Sequence, residues 1–173
     1  MYLFHNTDIT YLYQILNDAY IKSSKMTNNL NEGSGIYKTN SYIYFSTTPI
    51  LFDPYVIASC TLYFKSKLLY NRRFYINELH SSSPNITGIK YKKNYKYYNK
   101  VLRKLYNNSI KVLHNNKAFQ AFQQIAILNK INLSNLIGIE FTTDIPPNIL
   151  QKINLMNKYR KNKIILSIRK PTK

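Results

Sequence analysis

The chain has 173 residues, the length of one domain. Its 45% hydrophobic and 18% charged residues support a packed core and exclude wholesale disorder. The formal charge is +18, no apolar run reaches the roughly 20 residues that cross a bilayer, and the single cysteine, Cys60, excludes an internal disulfide and a four-cysteine zinc centre.

Tyr2, Leu3 and Phe4 predict a short strand over 1–6 ending at His5-Asn6. With no basic residue ahead of that short apolar stretch, a secretory signal is not expected. Thr7 or Asp8 can cap the helix that follows, since either side chain accepts from a free amide of the first turn. Ile9, Leu12, Tyr13, Leu16 and Tyr20 recur at helical spacing and carry the expected helix to Tyr20. The stripe stops in the polar run from Ser23 to Ser34; Gly33 and Gly35 mark a loop there and match no phosphate-loop pattern.

Tyr42-Ile43-Tyr44-Phe45-Ser46 predicts a strand, ended by Thr47-Thr48-Pro49. Residues 51–59 predict a short helix, 60–65 and 72–77 two strands, and Ser81 to Pro84 a loop. Tyr97, Val101 and Leu105, spaced by four, predict a helix within 90–117. Residues 118–128 fit either more helix or a strand at Ile125 to Leu128. Leu136 to Phe141 predicts a strand, Pro146-Pro147 a break, Ile149 to Tyr159 a helix and Lys163 to Ile168 a last strand. There is no internal repeat. The expected fold is a single α+β domain over 1–173 with a mixed, mostly antiparallel sheet.

The charge is uneven. Residues 1–89 hold seven basic and five acidic residues, whereas 90–173 hold eighteen basic residues against Glu140 and Asp144. A basic insertion spans about 90–117 and a basic C-terminal segment 150–173. Within the first, Lys90, Lys92, Lys93, Lys96, Lys100, Arg103 and Lys104 interleave with Tyr91, Tyr95, Tyr97 and Tyr98. Amines neutralise phosphates and phenol rings stack on unpaired bases, so nucleic acid is the expected partner; an anionic membrane surface attracts the same field. The plainer alternative is a solvated helix with inward tyrosines in a chain whose 20 Lys against 5 Arg reflect an AT-rich genome. Codon bias does not explain why Asp and Glu vanish from 90–139.

Conventional catalytic sets are missing. His5, His80, His114 and Cys60 lack ligand-like spacing, so no metal is expected. Cys60, inside an apolar stretch, reads as a buried inert thiol rather than a nucleophile.

One succession of motifs is more telling. A strand ends in His5-Asn6-Thr7, an amphipathic helix runs Leu12-Tyr13-Gln14-Ile15-Leu16-Asn17-Asp18-Ala19, a glycine-bearing loop follows, and a strand ends in Tyr44-Phe45-Ser46. This order resembles the ADP-ribosyltransferase fold, in which a His-x-Thr strand and a Tyr-Phe-Ser-like strand meet at the nicotinamide-ribose pocket. Ala19 stands where that pattern has glycine. Phe122-Gln123-Gln124-Ile125-Ala126-Ile127-Leu128, followed by Ile131 to Ile139, resembles the Q-A-E-x-L-V segment of the DarT-type DNA ADP-ribosyltransferases, whose Glu is catalytic. In that register Gln124 replaces it.

The resemblance covers about 1–50 and 118–141. It implies a split sheet with flanking helices, NAD as substrate without a metal, and NAD contacts from His5, Thr7, Tyr44 and Ser46. A His can bond a ribose hydroxyl while an aromatic face covers the nicotinamide. Oxocarbenium character at the departing bond calls for a carboxylate, which also takes the nucleophile's proton. Gln124 can hold a ribose hydroxyl but cannot take that proton. Three readings therefore stand: Glu140 or Glu78 supplies the carboxylate, the chain is a weak or inactive relative, or it is akin to the RNA 2′-phosphotransferases, which lack that Glu. The expected function is binding of NAD and nucleic acid, with transfer of ADP-ribose to a base if active. The alternative is a non-catalytic basic nucleic-acid-binding or virion structural protein of an AT-rich virus. The expected setting is intracellular, cytoplasmic or nuclear, or within a virion.

Overall fold

In chain order the elements are β1 (Tyr2–Thr7), α1 (Ile9–Asp18), β2 (Tyr20–Lys22), α2 (Ser24–Thr27), β3 (Tyr42–Phe45), β4 (Cys60–Lys65), β5 (Phe74–Leu79), β6 (Asn85–Ile89), α3 (99–107), β7 (Phe122–Leu128), β8 (Lys130–Asn132), β9 (Leu136–Phe141), α4 (Pro147–Tyr159) and β10 (Ile165–Ile168). They come from a computed structural model that describes residues 1–27, 41–47, 59–69, 72, 74–79, 85–89, 99–107 and 122–169, with backbone alone at 75–79, 85–89 and 122–124.

The strands form a split sheet. One half has the order β1-β4-β9-β10, the other β3-β7-β5-β6, and β2 with β8 makes a two-stranded ribbon. Among the described residues every strand pair is antiparallel except β9 with β10. That exception follows from chemistry: Pro146 and Pro147 end the run after β9 and start α4, and a crossover helix returns the chain parallel. The mixed, mostly antiparallel α+β architecture expected from the sequence is the one observed.

One hydrophobic cluster joins the layers. Leu3, Leu62, Phe64, Ile139 and Phe141 come from the first half-sheet, Ile43, Phe45, Ile125 and Ile127 from the second, Leu12 and Leu16 from α1, and Ile149 and Ile153 from α4. Fully burying such a side chain contributes about 1.5–3 kcal/mol. Residues 118–128 resolve as strand from Phe122 onward, because Ile125 and Ile127 alternate into this cluster rather than recurring every third or fourth position. The strand expected over 72–77 lies at 74–79. The ribbon and β6 carry no strong strand signal and were not expected. The helix expected over 51–59, apart from Ser59, and the loop at 81–84 lie outside the described residues.

The helix expected to reach Tyr20 ends at Asp18. Ala19 takes the left-handed conformation, φ 57° and ψ 22°, and Tyr20 opens β2. Its fit to the helical stripe is coincidental. A β-carbon in that conformation costs roughly 1–2 kcal/mol, which explains why glycine is favoured at a helix terminus of this kind. Ala19→Gly is therefore expected to raise the unfolding free energy by about 1 kcal/mol, read as a urea midpoint that rises with the slope unchanged.

The basic C-terminal segment is partly structural. Arg160, just past α4, donates to the carbonyls of Leu133 at 3.0 Å, Leu136 at 2.6 Å, Ser134 at 3.3 Å and Asn162 at 3.2 Å. It pins the end of the helix to the loop entering β9. The Lys163 amine sits on the Asn157 carbonyl, and the Asn157 amide side chain brackets Ile164 through its N–H and its carbonyl.

Candidate functional site

The two half-sheets meet where β1 crosses the end of β3. Phe4 N–H donates to the Ser46 carbonyl at 3.0 Å and Ser46 N–H returns a bond to Phe4 at 2.9 Å. This single bridge brings the His-x-Thr strand against Tyr44-Phe45-Ser46.

His5 sits at the seam. Its ring lies 5.5 Å from that of Phe45, and Nδ1 is 2.9 Å from the Tyr44 carbonyl oxygen. A carbonyl only accepts, so the neutral ring carries its proton on Nδ1 and keeps a lone pair on Nε2. Burial lowers the imidazole's pKa and outweighs the opposing effect of the Tyr44 hydrogen bond. At neutral pH His5 is thus an oriented, uncharged acceptor.

Thr7 lies two residues on, hence on the same face of β1. Its carbonyl accepts from Cys60 Sγ at 3.3 Å, and its hydroxyl has no partner among the described residues. Of the two candidate caps, Asp8 is the one that closes the helix. It accepts from Thr10 N–H at 2.8 Å, from the Thr10 hydroxyl at 2.7 Å and from Ser59 at 3.1 Å. Those bonds hold the Asp8 carboxyl below the usual range. Thr7 is thereby relieved of capping. Cys60 is buried and its thiol is pushed up to about 12 by burial and the nearby Asp8 charge, so it is no nucleophile.

Neighbouring residues of β3 point to opposite faces. Phe45 turns toward His5, while the half-buried Tyr44 ring shares its side with Tyr42, 6.4 Å away. His5 therefore meets the backbone of Tyr44 and the ring of Phe45, a contact with Phe45 that only strand parity could have foretold. Ser46 is buried, its hydroxyl 3.5 Å from the Phe4 carbonyl.

Register sorts the candidate carboxylates. Ala126 of β7 is opposite Tyr44, so position 124, two residues away, falls on the Tyr44 side of the second half-sheet. Position 124 pairs with Asn77, and Glu78 with Gln123, which sets position 78 on the other side. Glu140 also falls away. It is opposite Thr61 in β4, on the face of Phe4, Asn6 and Tyr63, whereas His5 and Thr7 occupy the reverse face of the same half-sheet. There Glu140 is engaged by the Arg169 guanidinium and by the Tyr63 hydroxyl at 2.9 Å. Burial works to raise its pKa, but those hydrogen bonds prevail and hold it low; the Tyr63 phenol, partly buried and bonded to the carboxylate, is pushed up to about 12. The expectation that Glu140 stands at the ribose is corrected by this parity.

On α3, Leu102 and Leu105 are buried and leave Lys100, Arg103 and Lys104 exposed. Lys90, Lys92, Lys93 and Lys96, with Tyr91, Tyr95, Tyr97 and Tyr98, lie outside the described residues, as do His80 and His114. Among the described residues no three His, Cys, Asp or Glu side chains cluster to hold a metal, and no helix is long and apolar enough to cross a membrane.

No family model matches the chain, and no curated protein matches it by sequence. Solved structures do match. Thermus sp. 2.9 DarT in complex with NAD+ aligns at a TM-score of 0.62 and 11% identity, covering 95% of this chain and 94% of that one. The same protein in complex with ADP-ribosylated ssDNA aligns at 0.53 and 10% identity, over 95% and 93%. Thermosipho africanus DarTG in complex with ADP-ribose aligns at 0.55 and 10% identity, over 96% of this chain and 49% of that one. The chain shares the fold of these DarT structures.

Proposed function

We propose that the seam between β1 and β3 binds NAD, and that the chain presents a bound nucleic acid to it. The observation that carries this reading is the hydrogen bond from His5 Nδ1 to the Tyr44 carbonyl. It fixes one tautomer and leaves Nε2 to accept from a ribose hydroxyl. Thr7 adds a hydroxyl on the same face of β1; the Tyr44 ring, on the opposite side of β3 from Phe45, would cover the nicotinamide from across the seam, while the buried Ser46 hydroxyl stays on the Phe4 carbonyl. The fold neighbours, solved with NAD+ and with ADP-ribosylated ssDNA, support both ligands, and exposed Lys100, Arg103 and Lys104 suit a phosphate backbone.

With Gln124 on the Tyr44 side in place of a carboxylate, the site can orient NAD but has no base there for the incoming nucleophile. In this reading transfer of ADP-ribose to a base is slow, and stable binding of the two ligands is the dominant property.

Calorimetric titration with NAD tests it. His5→Ala is expected to weaken NAD at least about tenfold while leaving affinity for a single-stranded oligonucleotide unchanged. Affinity for NAD is also expected to fall as pH drops below the ordinary histidine range, because protonation removes the Nε2 lone pair. Equal NAD affinity in wild type and His5→Ala overturns the proposal. Stability follows the same sign: His5 binds protons less readily folded than unfolded, so its contribution is intact above the unfolded pKa of about 6.5 and is lost progressively as pH falls from there through the lower folded pKa. The wild-type thermal midpoint should therefore drop more steeply from pH 7 to 5 than that of His5→Gln.

A further inference from the structure

The first half-sheet ends in an edge with no strand on its outer side among the described residues. β10 pairs with β9 alone, in parallel. Arg169 N–H donates to the Phe141 carbonyl at 2.7 Å. By the alternation of a parallel ladder, odd-numbered residues turn their backbone groups toward β9, and Leu166 and Ile168 turn theirs outward.

The side chains around this edge are unusually apolar for a surface. Ile165 is 71% exposed on one face of the strand and Ile168 51% on the other. One exposed apolar residue needs no explanation; one on each face of a four-residue edge strand is less common. Exposed Lys161 and Lys163 precede the strand and exposed Arg169 follows it. The nearby acid, Glu140, is engaged by Arg169 and Tyr63. Edge strands are commonly blunted by proline, a bulge or an inward charge, and Ile165-Leu166-Ser167-Ile168 has none of these.

The geometry points to β10 as the docking edge for an extended, acidic and β-branched segment of another protein, which adds to the sheet as a further strand. A row of outward N–H and carbonyl groups is matched by another polypeptide, not by a phosphate backbone or a lipid. A second copy of this chain brings the same cationic rim and a charge of +18, so self-pairing is opposed. Alternating acidic and aliphatic side chains meet both needs. By strand alternation the acids fall on the face of Ile165 and Arg169, and the aliphatics on the face of Leu166 and Ile168. The rim thereby rejects basic strands and admits acidic ones. This inference is independent of the NAD site, since none of these residues touches the His5 seam.

The test uses the full chain and a fluorescein-labelled ten-residue peptide of alternating glutamate and valine, followed by anisotropy at low salt. Saturable binding is expected. At least tenfold weaker binding is expected for an alternating lysine and valine peptide, and for the first peptide N-methylated at alternate amides. Ile168→Pro removes one outward N–H and leaves the β9 ladder whole, a position where strand proline is tolerated; it should weaken binding at least tenfold without changing NAD affinity. Ile168→Glu, which keeps the backbone and puts a like charge on the aliphatic face, should weaken it as well. No binding of the acidic peptide, equal binding of the N-methylated one, indifference to both variants, or dimerisation of the free chain through this edge in sedimentation would each overturn the inference.

Discussion

Gln124→Glu is expected to raise nicotinamide release and modification of a single-stranded oligonucleotide by about a hundredfold or more, the scale on which a placed acid–base group acts. The register of β7 carries this expectation. Position 124 is two residues from Ala126, which is opposite Tyr44, so a carboxylate there enters on the side of the Tyr44 ring. Its negative charge would stabilise the cationic sugar as the nicotinamide leaves, and it could accept the proton of the attacking group. NAD affinity should change far less than turnover, because the interaction is strongest once charge develops. Glu140→Gln, on the reverse face of the other half-sheet, is the matched comparison and should leave both quantities as they were. Product measured by mass spectrometry decides it. A Gln124→Glu variant no faster than wild type would mean that position 124 does not reach the sugar.

The second large effect concerns the cationic helix. Replacing Lys100, Arg103 and Lys104 together by Gln should lower the salt dependence of single-strand binding by about 2 in the log–log slope, near 0.7 for each phosphate contact. At 50 mM salt that corresponds to a loss of about a hundredfold in affinity. The three side chains are exposed, and the helix is held by Leu102 and Leu105 on its other side, so the fold should survive. Circular dichroism checks this. An unchanged slope would assign the polyanion contacts to other parts of the basic half.

The elements that carry the seam were legible because their signals are local. Tyr2 to Phe4, Tyr42 to Phe45, Cys60 to Lys65 and Leu136 to Phe141 combine aromatic and β-branched residues in short runs, and Pro146-Pro147 marks the break before α4, which starts two residues ahead of the expected Ile149. The meeting of His5 with the Tyr44-Phe45-Ser46 strand was legible only through the order of motifs, since nothing within either strand specifies that one bridge joins them. Parity was harder to read. Glu140 sits in a convincing strand, but which face it takes depends on pairing with β4, and a shift of one residue reverses the answer. Tyr20 shows the opposite failure: it continues the stripe of α1 by spacing alone, while the left-handed turn at Ala19 ends the helix before it. The three-residue strands of the ribbon are too short to display a period at all.

Because backbone pairing between the half-sheets among the described residues is the one rung of Phe4 and Ser46, helped by the side-chain bond from His5 to the Tyr44 carbonyl, hydrogen bonding leaves freedom in the angle at which these two plates stand. That angle is set by what is wedged between them, chiefly Phe45, whose ring meets Phe64 edge-on at 5.6 Å. The spine of the molecule therefore behaves like a book propped open by a peg, and the thickness of the peg governs how far apart the pages stand.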